Sequence, residues 1–385
     1  MSKAELKKKR VFGALSHDPF DTVPIGEFFW SDFVQQAALE AGIDGFDPYR
    51  FWDLDLIVIT PNMDPRIEPV KVLEQNENVT VVKTGFGATV ELRRNSPMPR
   101  FVDFEIKTLR QLENFVFDPP EDERRYFHAI DDQINSVVDT LYANIPSFIE
   151  RVKNYKEDFC IFGSVCEPWE FVWRLVGSPT ALLMSAEDPS RFAGCIERIG
   201  DFLAGITKAQ IKAAEGALSG LYIWGDVAYD QGMFFSPSYW REVFKEQVAR
   251  ICETARKEGI KVIYHGCGNA RAIFEDLIEI GIDAYNPLEA KAGLDVIELK
   301  RFFGNRWSFN GNIDIRVLET NESSAVEAEV LRKLNAAKGG GYILQSDHSV
   351  STKVKPETYD RLVSLARKKG RYPLDLGSYD LPLES

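Results

Sequence analysis

Two side chains able to hold zinc stand two residues apart where an apolar run of this chain ends: His265 and Cys267 in Val262-Ile263-Tyr264-His265-Gly266-Cys267-Gly268. Residues 261–264 are β-branched or aromatic after the lysine, the pattern of a buried strand. Positions i and i+2 of a strand share a face, so the imidazole and the thiol point the same way. Nitrogen and sulfur donors in that relation suit Zn²⁺. A buried cysteine beside a core histidine is the alternative. The chain has only four histidines and five cysteines, so the pairing carries weight.

Other polar residues follow other apolar runs. Glu27, Asp64, Glu167, Asp226, Glu289, Asn310, Asp314 and the pair Asp347-His348 each stand at or just past such a run. A carboxylate there often caps a helix or joins an ion pair. Many of them around one mouth are costly to bury without partners or a metal. His348 is the candidate third metal ligand, since the run that it ends lies three strands round from His265. His17 and His128 read as surface residues.

The elements that must position these groups alternate regularly. Short apolar runs at 24–29, 54–60, 159–165, 221–225, 261–264, 284–288, 307–310 and 342–345 are separated by amphipathic helical patterns. Eight such units predict an α/β fold, a (β/α)₈ TIM barrel, whose chemistry sits at the C-terminal ends of its strands. Ser236-Pro237 predicts a helix start, with Trp240, Val243, Phe244, Val248 and Ile251 on one face and Gly259 at its end. Ser324 and Glu327 form a capping-box pattern, and Pro356 to Gly370 bounds the last helix. About a hundred residues separate the second and third runs, too many for one helix. The stretch 61–158 is expected as an insertion over the barrel mouth, holding a β-hairpin unit (70–72, 79–83, 89–92) and helices over 109–115 and 123–155. The whole chain, 1–385, is expected as one domain.

Composition narrows the function. A net charge of −13 with no basic stripe argues against nucleic acid. No apolar run is long enough for a bilayer, and no signal-peptide pattern follows the basic residues 7–10. Five cysteines without framework spacing fit a reducing cytoplasm. Homodimerisation is left open.

Several motifs together resemble the uroporphyrinogen decarboxylase superfamily, and within it the cobamide-dependent methyltransferases. They are Trp224-Gly225-Asp226 followed by Ser236-Pro237 and Trp240, His265-Gly266-Cys267-Gly268, Gly281-Ile282-Asp283-Ala284-Tyr285-Asn286-Pro287, Gly311-Asn312-Ile313-Asp314, and Gly339-Gly340-Gly341-Tyr342 leading to Asp347-His348. The resemblance implies a (β/α)₈ barrel with zinc on His265 and Cys267. His348 then falls where the thiol-methylating members carry a cysteine. Two histidines and one thiolate leave the ion more positive than one histidine and two thiolates, a better Lewis acid for an oxygen leaving group. The glycine-rich segment ending in Asp347-His348 resembles the methyltransferases of anaerobic O-demethylation.

The expected reaction is transfer of a methyl group from a methoxylated aromatic to the Co(I) corrinoid of a separate corrinoid protein, for the chain has no Asp-x-His-x-x-Gly corrinoid motif. Glu167 and Asp226 are the candidate catalytic carboxylates, for proton delivery or for orienting the metal's imidazoles; either is also a candidate fourth ligand. Glu27, Phe28, Trp30, Trp169, Trp224 and Tyr229 are expected around the substrate. Alternatives are methyl transfer from methylcobamide to a thiol or to tetrahydrofolate, and a non-catalytic corrinoid-binding barrel. Porphyrinogen decarboxylation is disfavoured, because the decarboxylases carry Arg-Gln-Ala-Gly-Arg where this chain has Glu27-Phe28-Phe29-Trp30.

Overall fold

The computed structural model describes residues 1–67, 70–93, 96–128 and 146–383. Among these, thirteen strands follow one another: β1 (Leu56–Val58), β2 (Lys71–Gln75), β3 (Val79–Lys83), β4 (Ala88–Arg93), β5 (Ser96–Phe104), β6 (Cys160–Cys166), β7 (Leu218–Trp224), β8 (Ala228–Tyr229), β9 (Gly232–Met233), β10 (Lys261–His265), β11 (Ala284–Asn286), β12 (Ser308–Ile313) and β13 (Tyr342–Ser346). Seven of them form one parallel sheet in the order β1-β6-β7-β10-β11-β12-β13, and helices separate most successive members.

The first run, 24–29, expected as a regular strand, is irregular. Ile25 and Phe29 make isolated parallel bridges to Leu344 and Val350, and the Asp55 N–H donates to the Ile25 carbonyl at 2.8 Å. The segment therefore joins β13 to the start of β1 and closes the barrel. Its ladder is incomplete because a side chain replaces one carbonyl: the Ile25 N–H donates to Asp55 Oδ2 at 2.8 Å. Asp55 is wholly buried and held by Arg10 at 3.1 Å and Arg367 at 2.8 Å.

Leu56, Cys160, Phe162, Tyr222, Ile263, Ala284 and Ile343 form a core cluster together with Val11, Ala14 and Leu15 of the first helix, Lys3–Leu15. Ser2 and Glu5 cap that helix reciprocally, and the Gly341 N–H donates to the Ala14 carbonyl at 2.8 Å. The helix thus plugs the end of the barrel opposite the strand termini. His17, expected on the surface, follows this plug. Its Nε2 lies 3.2 Å from Ser308 Oγ, and burial, with Lys300 nearby, pushes its pKa down to about 4. His128 is exposed as expected.

The insertion holds more than a hairpin unit: β2 to β5 form a four-stranded antiparallel sheet. Its last strand carries Pro97 and Pro99, which mask a strand pattern yet are tolerated at a sheet edge. Val82, Ala88 and Val90 join the main core, and Phe101 packs edge-on against Trp173 with ring centroids 5.1 Å apart. The helix expected over 123–155 is instead met by Arg124–Phe127 and Phe148–Tyr155, the second capped by Ser147; its middle, 129–145, lies outside the described residues. Ser236 caps a helix through the Tyr239 N–H, but that helix is two pieces, Pro237–Val243 and Lys245–Lys257. The helix expected to be capped by Ser324 starts at Ser323, with Glu322 as N-cap and no side-chain cap. Pro356–Lys369 matches its expected bounds. Among the described residues no helix is long and apolar enough to cross a membrane.

Candidate metal centre at the strand ends

β10 ends at His265, in register with Trp224 of β7 on one side and Asn286 of β11 on the other. The backbone then turns through Gly266-Cys267-Gly268. Gly268 has φ +77°, and a Cβ there would lie 2.7 Å from the Tyr229 backbone, so the turn needs glycine. Two carboxylates from neighbouring strands hold it: the Cys267 N–H donates to Asp226 Oδ1 at 2.8 Å and the Gly268 N–H to Glu289 Oε2 at 2.7 Å.

This turn brings three donors together. His265 Nε2 lies 3.7 Å from Cys267 Sγ and 3.9 Å from Asp226 Oδ1, and one ligand atom from each residue falls within 4.8 Å of the others. Donors tetrahedrally placed around zinc stand ~3.5 Å apart, so small adjustments fit the set to one ion. His265 Nδ1 meets Asn286 Oδ1 at 2.6 Å. The group is partly open to solvent: the His265 side chain is 15% exposed and that of Asp226 43%.

Electrostatics point the same way. Burial pushes the His265 pKa down to about 4, against the opposing pull of Asn286 and nearby carboxylates, so its imidazole is neutral at pH 7. Burial, then the charges of Asp226 and Glu289, push the Cys267 thiol well above its ordinary range. Confinement also raises Asp226, although the Cys267 N–H and Arg174 favour its ionised form. Crowded acids that resist ionisation are relieved by a divalent cation, whose charge inverts the balance.

The remaining expected residues are distributed unevenly. Phe28 and Trp224 wall the group, with ring centroids 6.1 and 4.8 Å from the His265 ring. Trp224 Nε1 is buried without an acceptor among the described residues. His348 lies outside the three-donor group, its ring 6.1 Å from that of Trp30 and its Nδ1 3.3 Å from the Ser349 carbonyl. Tyr229 is 51% exposed and stacks on Phe234. Trp169 is buried among Phe234, Phe235 and Phe244, away from the His265 ring contacts.

The carboxylates divide by role. Glu167 is the N-cap of the helix Pro168–Val176: Oε2 accepts from the Trp169 and Glu170 N–H groups at 2.5 and 3.3 Å, and Oε1 from Trp240 Nε1 at 3.3 Å. Burial raises its pKa to about 8. Glu27 is buried against Ser346, its Oε1 2.6 Å from Ser346 Oγ. Asp347 braces two loops, accepting from the Ala290 and Ile315 N–H groups, both at 2.8 Å. Asp314 caps Ile315–Glu319 and pairs with Arg316, while Asp64 is fully buried. Sequence reasoning gave no role to Asn286, whose signal is its place at the end of the sixth strand beside His265. It also missed Glu170, paired with Arg174 at 2.6 Å, whose charge reaches His265 and Cys267. Beginning in the first turn after Pro168, that i,i+4 pair looks like ordinary surface patterning.

Known proteins share this architecture. A methyltransferase from Methanosarcina mazei superposes with a TM-score of 0.63 at 17% identity, over 94% of this chain and 98% of that one. A uroporphyrinogen decarboxylase from Bacillus cereus is 25% identical over 290 residues, 72% of each chain. One from Pseudomonas fluorescens is 26% identical over 179 residues, and the match spans about half of that relative, 47% of its length. The family model described as uroporphyrinogen decarboxylase (URO-D) matches residues 78–369, and the chain belongs to that family.

Proposed function

We propose that this chain is a methyltransferase that moves a methyl group from a methoxylated aromatic to the Co(I) corrinoid of a separate corrinoid protein. The observation that carries the reading is the Asp226–His265–Cys267 group, three convergent donors at the strand ends with aromatic walls beside them. The donor set fits Zn²⁺: a neutral imidazole, a thiol and a carboxylate. His265, Cys267 and Asp226 would hold the ion, with His348 as a further, weaker donor. When bound, the ion supplies stabilisation of negative charge on a departing aryl oxygen.

The protein's own groups do the rest. Phe28 and Trp224 present aromatic surface beside His265, suited to a flat ring, and Trp30 extends it towards His348. The unpartnered Trp224 Nε1 is a donor for an oxygen of the substrate. Glu167 acts as a positioning residue, tying the first turn of Pro168–Val176 to Trp240. Decarboxylation of a porphyrinogen, the activity in the names of the bacterial relatives, is disfavoured by the acidic and aromatic segment 27–30, which offers no arginine for substrate carboxylates.

One observation favours a second reading. With Asp226 as third donor, thiolate and carboxylate together cancel the ion's charge, a balance better suited to holding a thiol acceptor. A carboxylate oxygen donates less to the ion than a second sulfur, which keeps the ether reading ahead. The test mixes purified, zinc-quantified protein with Co(I) corrinoid and a panel of methoxybenzenes. Conversion to methyl-Co(III) with release of a phenol is expected. Silence with zinc bound, together with thiol-dependent consumption of methylcobamide, would move the assignment to the thiol direction. Silence in both with no zinc bound would remove the metal site.

A further inference from the structure

The donor group rests on an amide whose orientation is fixed by chemistry alone. Asn286 Nδ2 lies 2.9 Å from the Asn310 backbone carbonyl, which can only accept, so the amide nitrogen must face Asn310. Asn286 Oδ1 therefore faces His265 Nδ1, at 2.6 Å. That oxygen also only accepts, so Nδ1 must carry the proton. His265 Nε2 is then the nitrogen with the free electron pair, and it is the one near Cys267 Sγ and Asp226 Oδ1. The Asn310 side chain is engaged in turn with the Tyr222 hydroxyl, across the barrel interior, and both asparagines are fully buried. The Asn286 amide cannot flip without leaving its buried carbonyl facing another oxygen.

We propose that Asn286 is a positioning residue that locks His265 in its Nδ1–H tautomer and so reserves the Nε2 electron pair for a cation. The cation half rests on the reading of the Asp226–His265–Cys267 group given above; the tautomer does not. In a free histidine side chain the Nε2–H form is the commoner, so the lock has a measurable signature.

The test uses the full chain labelled with ¹⁵N at histidine, free of metal, with long-range ¹H–¹⁵N correlations and His265 identified by its loss in His265→Gln. His265 should appear as Nδ1–H. Asn286→Leu should release it towards Nε2–H and weaken zinc affinity ~10–100-fold, with the other three histidine signals unchanged. Asn286→Asp keeps the acceptor and, protonated on the oxygen that faces the Asn310 carbonyl, the donor as well, so it should keep both the tautomer and the zinc. An Nε2–H tautomer in the unmodified protein would overturn the proposal, as would unchanged tautomer and zinc affinity in Asn286→Leu. A locked tautomer in a protein that binds no zinc would overturn the assignment of the electron pair to a cation. Zinc and tautomer as expected without methyl transfer would count against the proposed reaction alone.

Discussion

Glu27 offers a prediction in which geometry and electrostatics agree. The residue is 2% exposed. Ser346 Oγ lies 2.6 Å from Glu27 Oε1 and also 2.6 Å from the His348 carbonyl. A hydroxyl has one proton for these two acceptors, and a protonated Glu27 resolves the conflict by donating to Ser346 while Ser346 donates to the carbonyl. Burial raises the Glu27 pKa to about 8, from an ordinary 4.5. Between those values the native state keeps a proton that the unfolded chain has released. Stability then falls as pH climbs from about 4.5 to about 8. At ~1.36 kcal/mol for each tenfold change in proton affinity, the ceiling on this loss is ~5 kcal/mol, comparable to the whole stability of a small domain. Glu27→Gln preserves shape and a donor to Ser346 but loses the Phe28 N–H bond, costing about 1 kcal/mol at low pH. The variant should be slightly less stable than the parent at pH 5 and more stable at pH 9. Urea midpoints of metal-free protein across that range would show the crossing; Glu167, with the same sign, cancels in the difference. A difference that stays flat from pH 5 to 9 would refute the reasoning.

Three further outcomes are expected. His265→Ala and Cys267→Ala should each lose bound zinc and methyl transfer together while keeping the parent's circular dichroism, and Asp226→Ala should lose more zinc than His348→Ala, as read by metal analysis after gel filtration. Gly268→Ala should cost at least ~1–2 kcal/mol from its positive φ, more once the Tyr229 backbone is displaced, lowering the melting temperature and zinc uptake in one substitution. Asp55→Asn should cost ~3–5 kcal/mol in urea denaturation, because it leaves Arg10 and Arg367 beside a buried neutral group; a loss under 1 kcal/mol would mean that those arginines find water.

The eight apolar runs were legible because parallel barrel strands are buried on both faces and read as continuous hydrophobic stretches. The first was legible as an apolar run but not as an irregular one, since the sequence does not reveal that a side chain thirty positions on, Asp55, completes its ladder. β5 was hidden by its prolines. At the site, His265 and Cys267 were readable from their spacing, as strand periodicity fixes their common face. Asp226 was readable only as a residue at the right end of a strand, and its place in the donor group depends on the Cys267 N–H that anchors it. The division of carboxylates into caps, braces and donors was not legible, because a cap and a catalytic acid occupy the same position after a strand. Only the direction of the side chain, set by three-dimensional partners, distinguishes Glu167 from Asp226.

The seam that closes the barrel has a consequence for how the protein is made. Glu27 and Ser346, bonded across it, are 319 positions apart, and the bridge between Ile25 and Leu344 lies alongside. A ribosome adding ~5–20 residues per second takes on the order of 15–60 s to bring the second edge out after the first. During that interval the nascent chain is an open sheet with unpaired edges and an uncovered interior, the state most prone to pairing with another chain. Residues 24–29 carry an acidic side chain, a proline and a glycine, features that blunt such pairing. The irregular ladder of the first strand thus makes a poor template for strangers while it waits for its own partner.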